Sequence, residues 1–200
     1  MSMTNIGARY HLSVLAFVIC AMLPAACTHK QHNTGATPVL SGRPNTTYPM
    51  PPLKGEGSAS DMGWALADGQ HARVSDYRGK VLVLDFYATW CAPCRQSIPH
   101  LVQLQKRSGP QGLQVIGLNV GGEEDHLSVA SFASEFNIQY PLGIPDKPLT
   151  DFFLSDNDSI PQTFVFNRNG ELVKRFIGYG ATMPEQLEQT IQAALVASSD

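Results

Sequence analysis

The sequence has little positive charge, few cysteines and no apolar run long enough to cross a membrane. Its 200 residues carry 14 lysines and arginines against 17 aspartates and glutamates, which gives a net charge of −3. Because the basic residues form no dense block, the chain lacks the electrostatic footprint of a nucleic-acid-binding protein, and we exclude that class of partner. The hydrophobic share of 43% suits one ordinary core, so we expect a single globular domain.

The most apolar stretch, residues 12–23, is only twelve residues long. A membrane-spanning helix needs about 20 apolar residues, so this stretch does not predict one. It follows the basic Arg9 and precedes small alanines, which is the pattern of an export signal. We therefore predict a signal peptide over residues 1–27. The alternative, a buried core helix, fits poorly with the polar segment that follows directly.

The letters "LPAAC" close this stretch at Cys27. They resemble the lipobox of bacterial lipoproteins, although Pro24 stands where leucine is usual. The resemblance implies that Cys27 is lipidated and anchors the protein to a membrane. The alternative is cleavage by ordinary signal peptidase near Ala26, which would leave Cys27 as a free thiol, an awkward group in an oxidising compartment.

The next segment, residues 28–60, is rich in proline, glycine, threonine and asparagine and poor in large apolar residues. Such a composition is typical of a flexible linker. We predict a tether that holds a soluble domain away from a membrane, and a domain that covers residues 61–200.

Within that domain the residue patterns predict an α/β fold. The strands are expected to form a mixed sheet with helices on both of its faces. The predicted elements are a hairpin that turns at Asp68 and Gly69, strands at 81–88, 113–120 and 163–167, a hairpin through Asn169 and Gly170, and helices at 93–106, at 125–136 with Asp125 as its N-cap, and at 183–197.

Only two cysteines remain for the domain once Cys20 and Cys27 are assigned to the export segment. A disulfide between Cys91 and Cys94 would close a very short loop and restrict the unfolded chain little. It would therefore add little stability, and a purely structural disulfide is disfavoured. A zinc site needs two further ligands, and the domain has no second cysteine pair. We therefore expect no resident metal, while Cu(I) binding by the two thiolates stays open as an alternative.

The position of the pair favours redox chemistry. The cysteines follow a predicted strand and open a predicted helix, and unpaired N–H groups at a helix N-terminus stabilise a thiolate. Cys91, at the exposed edge, is expected to attack a disulfide, and Cys94, one turn into the helix, to resolve the mixed disulfide. Pro93 restricts the loop between them. The predicted cofactor is therefore the redox-active Cys91–Cys94 disulfide alone.

The segment "VLVLDFYATWCAPCR" resembles the active-site segment of the thioredoxin superfamily, and "SIPQTFVFNRNGELVKRFIGY" resembles its downstream half. The "WCAPC" motif, the export segment and an insertion at 121–154 make the chain most similar to the TlpA/ResA-like membrane-anchored thiol-disulfide oxidoreductases. The resemblance extends from about Trp64 to Val196. It implies a thioredoxin fold with a central mixed sheet, an N-terminal β-hairpin and a central insertion.

The same resemblance implies a substrate-binding rim. Pro161 corresponds to the cis proline that faces the disulfide in this fold, and the backbone beside it, at Ile160, pairs with the incoming substrate chain. An ordinary trans proline that opens a strand is the alternative. Trp90, Ala92 and Pro93 are expected to contact substrate, although Trp90 would serve equally well as a core aromatic.

Asp85 is a carboxylic acid inside an apolar strand. Burial disfavours its charged form, so we expect a raised pKa. The resemblance gives Asp85 the role of taking the proton of Cys94; the alternative is an aspartate held by backbone donors at a strand end. Ser97 stands where ResA-like proteins often place glutamate, and no lysine follows "GLNV" to pair with Asp85.

These features predict an exported thiol-disulfide oxidoreductase on the periplasmic side of the cell envelope, held there by a lipid anchor. Its expected partners are envelope proteins with oxidised cysteines and a membrane-bound electron donor. The resemblance favours reduction, with cytochrome c or copper-site maturation as candidate contexts. A disulfide-forming oxidant or isomerase, and a Cu(I) chaperone that uses the same cysteines, remain alternatives.

Overall fold

A computed structural model of the protein describes residues 61–197. The predicted signal peptide at 1–27, the predicted lipidation site Cys27 and the predicted tether at 28–60 lie outside the described residues. Between residues 61 and 197, no helix combines the length and the apolar character needed to cross a membrane.

Seven strands form one mixed sheet in the order β2-β1-β5-β4-β3-β6-β7. The pairs β3–β4 and β4–β5 are parallel, and the others are antiparallel. The strands are β1 (Gly63–Leu66), β2 (His71–Arg73), β3 (Val81–Tyr87), β4 (Leu113–Asn119), β5 (Leu142–Pro145), β6 (Gln162–Phe166) and β7 (Leu172–Ile177). The helices are α1 (Ala92–Ser108), α2 (Glu123–His126), α3 (Val129–Glu135), α4 (Lys147–Leu154) and α5 (Met183–Val196). The predicted mixed sheet is confirmed.

The central strand β3 is buried at every residue and separates two apolar layers. Its even-numbered residues, such as Phe86, pack with Phe153 of α4. Its odd-numbered apolar residues, such as Val83, pack with α1 and α5. Side chains alternate between the two faces of a strand, so Asp85 belongs to the α1 face. The strand therefore carries a carboxylate into the layer that lies under the cysteine-bearing helix.

Both predicted hairpins are present. β1–β2 turns through Gly69 and β6–β7 through Gly170, each with a φ of +79°, a conformation that glycine adopts without a Cβ penalty. The segment predicted as an insertion, residues 121–154, holds α2, α3, β5 and α4 and connects β4 with β6. It supplies β5, through which the N-terminal hairpin joins the sheet.

The prediction of one helix at 125–136, capped by Asp125, was wrong. Two short helices occupy this stretch, with a break at Leu127 and Ser128, and the first begins after Gly122 at a φ of +90°. Asp125 lies inside α2 rather than at its cap. Its carboxylate points into the protein, where it accepts hydrogen bonds from other elements instead of capping its own helix.

Candidate active site

Cys91 and Cys94 lie where β3 gives way to α1. The strand ends at Tyr87, and Cys91 is the N-cap of the helix, with the extended angles φ −76° and ψ 108°. Pro93 occupies the first turn, where a helix tolerates a residue without an N–H. The two cysteines are joined in a disulfide. The predicted strand-to-helix junction is confirmed.

The two sulfurs differ in their surroundings. The backbone N–H of Cys94 donates to Sγ of Cys91 at 3.2 Å, as expected at a helix N-terminus. Such a donor favours the negatively charged form of the sulfur, which is the attacking nucleophile in disulfide exchange. Cys94 is fully buried, whereas Cys91 keeps a small exposed area. A substrate can therefore reach only the first cysteine.

The segment before β6 lies across from this sulfur. The Ile160–Pro161 peptide bond is cis, as the family resemblance implies. The carbonyl oxygen of Ile160 lies 3.7 Å from Sγ of Cys91, so the segment predicted to hold substrate does lie at the disulfide.

Trp90, Ala92 and Pro93 flank Cys91 along the chain. Trp90 is 66% exposed, so its alternative interpretation as a core aromatic was wrong. Ala92 is exposed and Pro93 is half-buried. Together with half-buried Ile160, whose carbonyl oxygen lies near Sγ of Cys91, these residues give the site a partly apolar rim.

Asp85 is completely buried on β3. Oγ1 of Thr163, its register partner on β6, donates to Oδ1 at 2.8 Å, and Oδ2 has no hydrogen-bond partner among the described residues. Burial raises the pKa of Asp85 to about 7, and the Thr163 hydrogen bond opposes part of that rise. The expected direction is confirmed. The alternative of an aspartate held by backbone donors was wrong, because its donor is a side chain.

Ser97, the departure from the ResA-like pattern, is buried one turn after Cys94. Its hydroxyl donates to the carbonyl oxygen of Cys94 at 2.9 Å. A hydroxyl bound to its own helix does not replace a glutamate in moving protons. Asp85 is therefore the acid with a pKa near neutrality in this part of the site.

A hydrogen-bonded cluster that the sequence did not predict holds the loop before Cys91. Asp125 accepts hydrogen bonds from the backbone N–H of Thr89 at 3.0 Å, from the Thr89 hydroxyl, and from Nδ2 of Asn119 at 2.7 Å. Burial would raise the pKa of Asp125, but these hydrogen bonds and nearby His126 together lower it. A Cβ at Gly121 would collide with the carboxylate. In the sequence, the acidic run at 123–125, shortly after the buried parallel strand β4, is the feature that could have indicated this cluster.

Arg95 supports the same loop from α1. Its Nη1 donates to the carbonyl oxygen of Thr89 at 3.2 Å, and its Nη2 pairs with Glu135. The guanidinium carbon lies 5.4 Å from the ring centre of Phe132 and 4.9 Å from that of Phe136. The residue before Trp90 is thus held at its N–H by α2 and at its carbonyl by α1.

This arrangement can carry out dithiol-disulfide exchange. It has an accessible sulfur at a helix N-terminus, a buried sulfur that closes the ring, and an acid with a pKa near neutrality. In the described part of the chain, no cluster of three or more histidine, cysteine, aspartate or glutamate residues is placed to hold a metal ion.

Comparison with known proteins identifies relatives across this domain. The AhpC/TSA family matches residues 56–175. Thiol-disulfide oxidoreductase ResA of Geobacillus kaustophilus is 35% identical over 62% of this chain and 69% of that protein. The ResA of Geobacillus thermodenitrificans is 32% identical over 68% and 75%.

A solved structure shares the fold. The crystal structure of a Chlorobium tepidum protein assigned as thiol:disulfide interchange protein DsbE superimposes with a TM-score of 0.59 and 29% identity, over 70% of this chain and 96% of that one. The sheet, the placement of the cysteines and these relatives agree: the chain belongs to the AhpC/TSA family of thioredoxin-like proteins, and it is a thiol-disulfide oxidoreductase of the ResA type with Cys91 and Cys94 as its cysteine pair.

Proposed function

We propose that this oxidoreductase is an exported, lipid-anchored reductase that acts on disulfides of other proteins in the cell envelope. One observation carries the proposal. The accessible sulfur of Cys91 lies 3.7 Å from the carbonyl oxygen of Ile160, beside a rim formed by Trp90, Ala92 and Pro93. An accessible sulfur next to the backbone that leads into β6 suits a substrate cysteine presented on a polypeptide.

The reaction begins from the reduced pair. The Cys91 thiolate attacks one sulfur of the substrate disulfide, and the other substrate sulfur leaves as a thiolate. Cys94 then attacks Sγ of Cys91, which forms the Cys91–Cys94 disulfide and releases the second substrate sulfur. Two electrons pass from the enzyme to the substrate, and the two protons of the dithiol balance the two new substrate thiols.

Asp85 takes the proton of Cys94 in the second step. A thiol attacks only as its thiolate, and Cys94 is fully buried, so its proton needs an internal acceptor. With a pKa near 7, Asp85 is ionised in about half of the molecules at neutral pH and can both accept and return a proton.

Pro161 and Ile160 hold the substrate chain. The Pro161 carbonyl oxygen already accepts from the N–H of Gly178, so the backbone of Ile160 is the part that would pair with an extended peptide carrying the target cysteine, as in recognition by strand addition. Trp90, Ala92 and Pro93 contact the residues on either side of that cysteine. Their partly apolar character favours substrates with apolar residues near the disulfide.

The proposal places the enzyme at a membrane and requires an electron source there. The oxidised pair must be reduced again after each turnover, which requires a donor of two electrons. A membrane-bound dithiol partner fits an enzyme held at the membrane through Cys27. Cytochrome c and copper-site maturation are settings in which cysteines of exported proteins must be kept reduced.

Trapping tests the proposal. A Cys94→Ser variant, expressed in its own envelope, should stay disulfide-linked through Cys91 to its substrates, and a Cys91→Ser variant is the matched control. We expect envelope proteins with paired cysteines in the first sample and none in the second. An empty trap, together with a wild-type protein inert towards a general disulfide, would contradict the proposal.

Two further measurements separate the alternatives. A redox titration gives the direction: a strongly reducing potential supports a reductase, and an oxidising one supports a disulfide-forming enzyme. Titration of the reduced protein with Cu(I) tests the chaperone alternative. Tight stoichiometric binding with negligible disulfide reductase activity would replace the redox proposal.

A further inference from the structure

Asp85 has no direct contact with solvent. It is fully buried, and so are Thr163, whose hydroxyl donates to it, and Cys94, whose thiol it deprotonates in the proposed reaction. A carboxyl that accepts one proton in each turnover must also release that proton to water. Its Oδ2 has no hydrogen-bond partner among residues 61–197, so one side of the carboxylate is free for such a transfer.

Two tyrosines lie beside this carboxylate. Asp85 pairs in register with Gly117 of β4, and residues paired across parallel strands share one face of the sheet. A Cβ at Gly117 would lie 3.2 Å from Cε1 of Tyr87 and 3.4 Å from Cε2 of Tyr140. Because position 117 is glycine, both rings can pack against the backbone next to Asp85.

The two tyrosines differ in their burial and in their access to a surface pocket. Tyr140 is 5% exposed and lines a pocket of about 400 Å³ together with Val102, Gln105, Lys106 and Asn137. Tyr87 is 1% exposed and does not line this pocket. Tyr140 thus joins the surroundings of Asp85 to an opening on the protein surface.

We infer that Tyr140 is a positioning residue for proton transfer, whose hydroxyl connects Asp85 to the water of this pocket. The inference deepens the proposed function and rests on the role given there to Asp85. The pocket opens beside the second half of α1 and the segment before β5, whereas the disulfide lies at the start of α1. Protons therefore leave by a route that a bound substrate protein does not cover.

The proton transfer leaves Tyr140 in its original protonation state, because it gains one proton and loses another. The proton of the Cys94 thiol first moves to Asp85. It then passes from Asp85 to the Tyr140 oxygen, while the original hydroxyl proton of Tyr140 passes to water in the pocket. Burial, and secondarily the charge of Asp85, raise the pKa of Tyr140, so the phenol stays protonated and acts as a relay rather than as a base.

The groups that face Asp85 come from each neighbouring element. Tyr87 lies on its own strand, Thr163 on β6 and Tyr140 before β5, and Cys94, the proton donor of the proposed reaction, lies on α1. Thr163 carries no charge, and the two tyrosines stay protonated at neutral pH because burial raises the pKa of both. The pKa of Asp85 is thus set by burial and by the Thr163 hydrogen bond. The rate at which Asp85 exchanges its proton depends on the path from the carboxyl to water.

A pH jump on the reduced protein tests the relay directly. The pH is raised from about two units below to about two units above the pKa of Asp85, and ionisation of the carboxyl is followed by time-resolved infrared absorption. The band is assigned by its absence in Asp85→Asn. Tyr140→Phe removes the proposed relay and keeps the ring. Tyr87→Phe removes a hydroxyl on the same face that does not line the pocket.

We expect ionisation of Asp85 in Tyr140→Phe to be about tenfold slower than in wild type, and that in Tyr87→Phe to be unchanged. Equal rates in wild type and Tyr140→Phe, or equal slowing in both variants, would overturn the relay. The equilibrium pKa is read from the same spectra, so a shifted pKa is not mistaken for slower transfer. The catalytic role of Asp85 is tested separately. If Asp85→Asn reduces disulfides as fast as wild type, that role is contradicted.

Discussion

Thr163 of β6 donates a 2.8 Å hydrogen bond to Asp85, its register partner on β3, at the centre of the sheet. The bond satisfies one carboxylate oxygen and leaves the other without a partner in the described chain. A carboxylate that is half satisfied and fully buried is held near the balance between its charged and neutral forms. This balance distinguishes Asp85 from an ordinary buried polar residue, which would have all of its hydrogen bonds.

Asp85→Asn should flatten the dependence of stability on pH. The folded-state pKa is about 7 against an unfolded value of 3.8, so the folded protein binds the proton more tightly. Stability should therefore fall as pH rises from about 4 to about 7, by about 4 kcal/mol at most. Denaturant unfolding across this range checks the slope. A variant that keeps the wild-type slope would show that another group causes it.

Thr163→Val should raise the pKa of Asp85 further above its ordinary value. The hydroxyl stabilises the ionised carboxylate, and valine matches its shape without a donor. We expect the infrared or NMR titration of Asp85 to move to higher pH, and the pH optimum of disulfide reduction to move with it. Thr190→Val, which changes a half-buried threonine on α5, is the matched control and should leave both unchanged.

The local part of the site could be predicted from the sequence, and the long-range part could not. An apolar strand followed by two cysteines and a proline gives both the strand end and the helix start, because neighbouring residues decide them. The donor to Asp85 lies 78 residues away on β6, and no local pattern identifies it. Asp125 was misassigned as a helix cap for the same reason: its carboxylate binds Thr89, 36 residues earlier in the chain.

Thr89→Val should loosen the loop that presents Cys91. The change removes the hydroxyl donor to the buried carboxylate of Asp125 and keeps the backbone donor. Losing a hydrogen bond to a charged group costs about 1.5–3 kcal/mol. We expect a lower free energy of unfolding and a slower attack by Cys91, measured as the rate of its alkylation.

Asp125→Asn tests the same cluster through its charge. Hydrogen bonds outweigh burial and lower the pKa of this carboxyl, so its stabilising effect is present above the unfolded pKa and is lost as pH falls through the folded one. The variant should be less stable at neutral pH and should lose little more on acidification. Glu124→Gln changes the exposed neighbouring acid and should behave like wild type. Equal effects of the two substitutions would argue against the cluster.

Arg95→Lys should weaken the active-site loop although it keeps the positive charge. Lysine cannot both donate to the carbonyl oxygen of Thr89 and place a planar cation against Phe132 and Phe136. We expect a loss of about 1–2 kcal/mol in unfolding free energy and slower alkylation of Cys91. Arg107→Lys is the matched control on the same helix, because its ion pair with Glu188 is exposed and contributes at most about 1 kcal/mol. If the two substitutions cost the same, the guanidinium contributes only its charge, and the loop before Cys91 is held by Asp125 alone.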